Sequence, residues 1–144
     1  MVQKEAAQRI CAQAGTRQCG AVTIAVRYYC KPQVLFGVSA GSFLPAPKVY
    51  SAVIQLKPYK KPPLQIEDTA LFFQVVKSAS AQRRKTLLNA LASGLMLCKE
   101  EICTVLETAM VSQSLRAEQL SMEQFASVTN ALYGYLQEKE GYML

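Results

Sequence analysis

The spacing of apolar positions changes period twice along the chain, and the changes divide it. Good helix formers fill residues 4–14, with Ala7, Ile10 and Cys11 on one face; this predicts a helix over Lys4–Ala14 that Gly15 ends as a C-cap. Met1-Val2-Gln3 ahead of it is too short to predict a strand. Ala21, Ile24, Ala25, Tyr28 and Tyr29 then recur at helical spacing and predict a second short helix within 15–30, against the pull of the β-branched Val22, Thr23, Ile24 and Val26. Lys31-Pro32 breaks the chain, and the period falls to two. Gln33–Val38 is expected as a strand, and so is Val49–Leu56, where Ala52, Ile54 and Leu56 alternate with Ser51, Val53 and Gln55.

Between the two expected strands Phe43 stands after Gly41 and before Pro45 and Pro47. Each proline fixes its own φ and pushes its predecessor toward extended geometry, so a stiff non-helical arm presents Phe43 at the entrance to a strand. Two readings are open. The ring stacks on a base or ligand, or it closes the loop over the sheet as a buried side chain, and the residue pattern alone favours the second.

Lys57-Pro-Tyr-Lys-Lys-Pro-Pro63 suits neither helix nor sheet and predicts an extended, solvated linker whose cations can touch phosphates. Beyond it the helical period returns. Asp68 is a good N-cap for Thr69–Ala79, which puts Phe72, Val75, Val76 and Ala79 on one face. Leu87–Leu91 leads toward Gly94, and Lys99–Ala109 points Ile102, Val105, Leu106 and Ala109 inward. Ser121–Leu136 carries a capping box of Ser121 with Gln124, and Phe125, Val128, Ala131, Leu132 and Tyr135 form its apolar face. The expected division is an α/β part over 1–57, a basic Pro-rich linker over 58–65, a small all-α lobe over 66–137 and a frayed tail over 138–144.

Composition adds bounds. At 144 residues and 51% hydrophobic, the chain can bury one core, or one core and a small lobe. No apolar run reaches the roughly 18 residues of a membrane span, and the start lacks the layout of a secretory signal, so the reading is a soluble cytoplasmic protein, a monomer with no membrane partner. Charge is uneven. Residues 1–65 hold nine Lys or Arg against Glu5 alone, and residues 66–144 hold seven against nine acids. A polyanion-facing basic half is expected, with RNA ahead of membrane; an ordinary solvated surface is the plainer alternative.

Five cysteines (11, 19, 30, 98 and 103) form no Cys-x-x-Cys pair, and there is no histidine, so no metal is expected. Cys11, Cys30 and Cys103 lie among apolar neighbours and read as small core residues. No Ser-His or Cys-His pair can be built without histidine. The glycines form no strand-turn-helix cradle for a nucleotide, since the Gly15…Gly20 pair lacks a preceding strand. By itself the chain displays no catalytic constellation.

Gln82-Arg83-Arg84-Lys85 is the stretch where chemistry is easiest to place. Three consecutive cations at a helix start oppose the macrodipole, an unfavourable local choice unless something offsets it. Phosphate oxygens would, through the forked donors of arginine and the point charge of lysine. A solvated or salt-bridged surface cluster is the competing reading.

These residues also carry a resemblance. Phe43-x-Pro45-x-Pro47-x-Val49-x-Ser51, Met-x-Gln-Lys-Glu at the start, Gly20-Ala-Val-Thr-Ile-Ala-Val-Arg-Tyr-Tyr29 and Gln82-Arg-Arg-Lys-Thr86 together resemble the carboxyl-terminal portion of the small-subunit ribosomal RNA adenine N6,N6-dimethyltransferases, the kasugamycin-resistance type. The resemblance implies a fold: the end of a Rossmann-like methyltransferase sheet, with its last two strands antiparallel, followed by the helical lobe. It implies that Met-x-Gln-Lys-Glu closes a central strand and opens the following helix, so that Met1 lies inside the fold of a longer chain, and that removing the central strands leaves residues 1–57 with exposed apolar faces and an open edge. Phe43 would help sandwich a flipped adenine, with Pro45, Pro47, Val49 and Ser51 shaping the arm, and Arg83, Arg84 and Lys85 would contact RNA, joined by Lys48, Lys60 and Lys61. The methyl donor of the family is S-adenosylmethionine, and neither its glycine-rich turn nor the acid for its ribose is in this chain. The implied partner is small-subunit ribosomal RNA within the immature subunit. The chain departs from the family at Cys19 (an aromatic is expected), Arg27 (glutamine), Tyr50 (aspartate) and Ser80 (phenylalanine).

Three functional readings follow. The chain is the RNA-docking portion of such an enzyme, catalytically inactive alone; or a stand-alone basic RNA-binding module; or, less favoured by the helical lobe, a relative of the erythromycin-resistance methyltransferases of large-subunit RNA.

Overall fold

A computed structural model describes residues 1–42 and 50–143. The architecture is α/β, and the chain divides into two compact units, Met1–Pro63 and Leu64–Leu144.

Unit 1 begins with a strand after all. Val2–Gln3 (β1) pairs antiparallel with Ser51–Pro58 (β3), with Val2 opposite Ala52 and Gln3 opposite Ser51. Two residues are too few to show a period, and the strand stands where the resemblance implied that one closes. Cys30–Val38 (β2) pairs antiparallel along the other edge of β3, giving the order β1-β3-β2. The expected antiparallel pair is therefore present, lengthened at both outer ends. Lys57 and Pro58, assigned above to the linker, close the ladder opposite Lys31 and Cys30. Leu35 is an extra residue between the paired Val34 and Phe36, a β-bulge that bends the edge strand.

Helix α1 spans Lys4–Ile10 and stops four residues short of the expected end. The carbonyls just beyond it are held from another element: helix α2, Ala21–Tyr29, sends the Arg27 guanidinium to Cys11 and Ala12, so those groups are satisfied without another helical turn. Gly15 is not the C-cap; it sits in the following loop at φ 85°, a left-handed conformation that glycine adopts without cost. The buried Thr23 ties the same junction, donating from Oγ1 to the Arg9 carbonyl at 2.6 Å and accepting from the Gly20 N–H at 3.0 Å. Helical spacing thus prevails over β-branching in α2, where Ile24 and Tyr28 are buried.

The core of unit 1 is small, built on Ala7, Cys19, Ile24, Tyr28 and Ala52. Cys11, Cys30 and Cys103 are only half-buried, and the buried cysteine is Cys19, at the position where an aromatic was expected. Val22, Tyr29, Val34, Leu35, Phe36 and Leu56 are exposed, because three strands and two short helices cannot cover both faces of a sheet.

Unit 2 is a helical lobe with a dense core. Helix α3, Thr69–Ser80, is capped as expected by the Asp68 carboxylate, which accepts from the Leu71 N–H at 3.1 Å. Phe72, Val75, Val76 and Ala79 are buried. Helix α4 covers Leu87–Leu95, α5 covers Lys99–Ala109, and α6 runs from Met122 to Met143. Both bonds of the Ser121–Gln124 capping box form, at 2.9 and 3.1 Å. Helix α6 continues through residues 138–143, where fraying was expected, and Lys139 Nζ meets Glu101 Oε1 of α5 at 3.2 Å. Asn130 holds the entry to the lobe, donating to the Gln65 carbonyl and accepting from the Glu67 N–H.

Candidate nucleic-acid interface

Arg83, Arg84 and Lys85 lie together in the turn that joins α3 to α4, and all three are exposed. The turn is closed by the Lys85 N–H on the Gln82 carbonyl at 3.1 Å, and α3 ends just before it with the Ala81 N–H on the Lys77 carbonyl. Thr86 is the N-cap of α4, so the cations precede the helix instead of occupying its first turn.

The dipole penalty argued from sequence is answered within the lobe. The Leu87 N–H donates to the Leu115 carbonyl at 2.6 Å, the Leu88 N–H to the Gln113 carbonyl at 3.3 Å, and the Asn89 N–H to Thr86 Oγ1 at 3.5 Å. Carbonyl dipoles from the 112–115 loop therefore cover the positive end of α4. Its first amides are occupied, and an anion arriving at this turn would be held by side chains. Among the described residues, Arg84 and Lys85 have no ion pair, and their charge faces solvent.

The other expected site residues are placed differently. Lys60 and Lys61 are exposed and follow β3 in unit 1, a different unit from the turn. Ser51 opens β3 at the centre of the sheet, opposite both Gln3 and Val38. Phe43, Pro45, Pro47, Lys48 and Val49 lie outside the described residues.

Unit 1 contains a cavity of about 430 Å³ between α1, β2 and β3, beside Ser51; Lys4, Ala7, Val38, Tyr50 and Ala52 are among its lining residues. A methyl donor carrying a ribose and an amino group would need carboxylates, and none of the lining residues is acidic. Those residues do not fit S-adenosylmethionine. Among the described residues no cluster of three or more His, Cys, Asp or Glu is placed to hold a metal ion, and no helix is long and apolar enough to cross a membrane.

Arg27 was not legible as the clamp on the 11–12 carbonyls, because its partners lie 15 and 16 residues away, in the loop after α1. Nor did the sequence point to a further hollow among the described residues of unit 1, bounded by Gln8, Gln13, Arg17 and Gln18. The five-residue spacing of those glutamines was the available signal, and it matches neither a helix nor a strand.

Comparison with known proteins places the chain. The family model described as ribosomal RNA adenine dimethylase matches residues 1–133. Proteins named ribosomal RNA small subunit methyltransferase A are similar to it: 47% identical over 130 residues in Alkaliphilus metalliredigens, covering 90% of this chain and 45% of that protein. In Caldanaerobacter subterraneus the figure is 43% over 138 residues, covering 96% and 51%. The chain thus spans about half the length of the curated relatives it matches, in their carboxyl-terminal portion. Its fold resembles a dimethyladenosine transferase from Plasmodium falciparum, with a TM-score of 0.73 at 22% identity over 95% of this chain and 56% of that one. It also resembles the 23S rRNA methyltransferase ErmE, at 0.61 and 18%, covering 91% and 52%. With its sheet of antiparallel late strands, its helical lobe and a family match over nearly its whole length, this chain belongs to the ribosomal RNA adenine dimethylase family.

Proposed function

We propose that this chain is the RNA-docking, carboxyl-terminal portion of an enzyme that transfers methyl groups from S-adenosylmethionine to N6 of two adjacent adenines in small-subunit ribosomal RNA. The enzyme would act in the cytoplasm on the immature subunit. The observation that carries the reading is the turn of Gln82–Lys85, where three consecutive cations are exposed and the helix amides behind them are already bonded. Arg84 and Lys85 have no acid partner among the described ion pairs, so the turn offers charged side chains to a phosphate backbone. The names of the small-subunit relatives support the substrate, and Phe43, by resemblance, would form one wall of the base pocket.

On this reading the chain alone binds RNA and leaves methyl transfer to residues it does not contain. A second reading, a binding module without catalysis, shares the basic turn and needs no residues beyond this chain. One experiment addresses both. The purified chain is incubated with unmodified small ribosomal subunits and S-adenosylmethionine labelled in its methyl group. The expected result is binding to the subunits with no label transferred, and label in the RNA would overturn the assignment of catalysis to other residues. Adding the amino-terminal half of a relative then separates the two readings, since recovered transfer supports the enzyme portion and its absence the binding module.

A further inference from the structure

A second RNA subsite can be located in unit 1, on a loop whose shape is fixed from below. The loop after α1 carries Gln13, Arg17 and Gln18 outward, all exposed. Its inner side is held at several points. Arg27 donates to the Ala12 carbonyl from Nε at 2.6 Å and to the Cys11 carbonyl from Nη2 at 2.9 Å. Thr16 Oγ1 donates to the Gln13 carbonyl at 2.7 Å, the Cys19 N–H reaches the Thr16 carbonyl at 3.0 Å, and Cys19 itself is buried. Beside the loop lies a hollow of about 540 Å³, within the roughly 300–1,000 Å³ of small-ligand sites. Ala12 and Val34 contribute an apolar wall, and Gln8, Gln13, Gln18 and Arg17 contribute polar ends.

The chemistry of this lining selects an occupant. None of the lining residues is acidic, and residues 1–65 hold nine cations against Glu5. Among the described residues Arg17 has no ion pair and no hydrogen bond, so its guanidinium is available to an anion. Side-chain amides both donate and accept, as the edge of a nucleobase requires, and an apolar wall suits the face of a base. We propose that this hollow takes one nucleotide of single-stranded RNA, with Arg17 on its phosphate and Gln13 and Gln18 along the base edge. The inference rests on the reading of the chain as an RNA binder and adds a contact in unit 1, apart from the Arg83–Lys85 turn of unit 2.

The test uses the full chain and two fluorescent probes, a single-stranded oligouridine and an abasic oligonucleotide of equal length, with affinity measured across a salt series. Arg17→Ala should weaken oligouridine binding about fivefold or more and flatten the slope of log affinity against log salt by about 0.7, the share of one single-strand phosphate contact. Arg17→Lys should keep the slope. Gln13→Ala together with Gln18→Ala should erase the preference for oligouridine over the abasic probe while leaving the slope unchanged. Arg17 is exposed and supports no described contact, so its variants should keep the wild-type helical signal. Wild-type binding that is indifferent to Arg17→Ala, or equal affinity for the two probes, would overturn this subsite and leave the RNA reading in place. Failure to bind oligouridine would overturn the subsite, and failure to bind a fragment of small-subunit ribosomal RNA as well would overturn both.

Discussion

Arg27 of α2 holds the carbonyl of Ala12, fifteen residues away in sequence, with its Nε 2.6 Å from the oxygen. A second bond from the same guanidinium to Cys11 makes the contact a fork, and together they end α1 and shape the loop that follows. Hydrogen bonds from a charged donor contribute about 1.5–3 kcal/mol, and the half-buried position of Arg27 places it at the lower end. Arg27→Ala should therefore destabilise unit 1 by roughly 1–2 kcal/mol, and Arg27→Gln, with a neutral and shorter amide, by less. Urea unfolding followed by tyrosine fluorescence measures the loss, and hydrogen exchange localises it. Protection lost equally in α3–α6 would contradict the assignment to unit 1.

Gly94 lets α4 approach α3. A methyl group placed there would lie 3.0 Å from Ser78 Cα and closer to the Ser78 side chain, which is itself buried. Alanine gains about 1 kcal/mol of helix propensity over glycine, but overpacking costs about 1–3 kcal/mol and prevails here. Gly94→Ala should lower the thermal midpoint of the lobe, and a raised midpoint would mean that the two helices part without cost.

Met96 and Met110 end α4 and α5 in left-handed conformations, at φ 56° and 60°, and both are 91% exposed. Glycine is the usual residue at such a C-cap, because a Cβ there is crowded by about 1 kcal/mol or more. Met110→Gly should stabilise the lobe by about 0.5–1 kcal/mol, with the freer unfolded chain offsetting part of the relief. Denaturant midpoints measured with an unchanged slope provide the check, and a loss of stability would contradict it.

Burial pushes the Cys11 thiol up, while the nearby Arg27 guanidinium acts in the opposite direction and is outweighed. The folded state therefore favours the protonated thiol. Its contribution to stability is complete below the ordinary thiol range and is lost as pH rises through the raised value of the folded thiol. Alkylation at mildly alkaline pH should modify the exposed Cys98 first and Cys11 much later, with the Cys11 rate rising only at higher pH. Equal rates at the two thiols would contradict this.

What the sequence disclosed follows the range of the interactions involved. The helices of unit 2 were legible because Asp68, Ser121 with Gln124, and the apolar stripes from Phe72 and Phe125 act within one or two turns. Strand β1 was legible through the resemblance alone, since two residues acquire strand geometry only from Ala52 and Ser51 across the sheet. The end of α1 was misplaced for the same reason: Gly15 is a strong local signal, yet Arg27 settles the boundary from another helix. Helix α6 outruns its expected end, and Lys139 in the added turns pairs with Glu101 on a neighbouring helix. At the candidate interface, Gln82–Lys85 was visible as a run of charge, but the carbonyls of Gln113 and Leu115 that make it tolerable came from a loop with no period to read. The hollow at Arg17 was invisible, because a cavity belongs to no single segment.

The most direct measurement of the central claim is the affinity of the full chain for a fragment of small-subunit ribosomal RNA across a salt series, with wild type compared to Arg83→Ala/Arg84→Ala/Lys85→Ala. The account predicts steep salt dependence in the wild type, and a slope shallower by about 2 in the variant, from three lost phosphate contacts at roughly 0.7 each. Affinity that does not change with salt, or a variant whose slope matches the wild type, would contradict it.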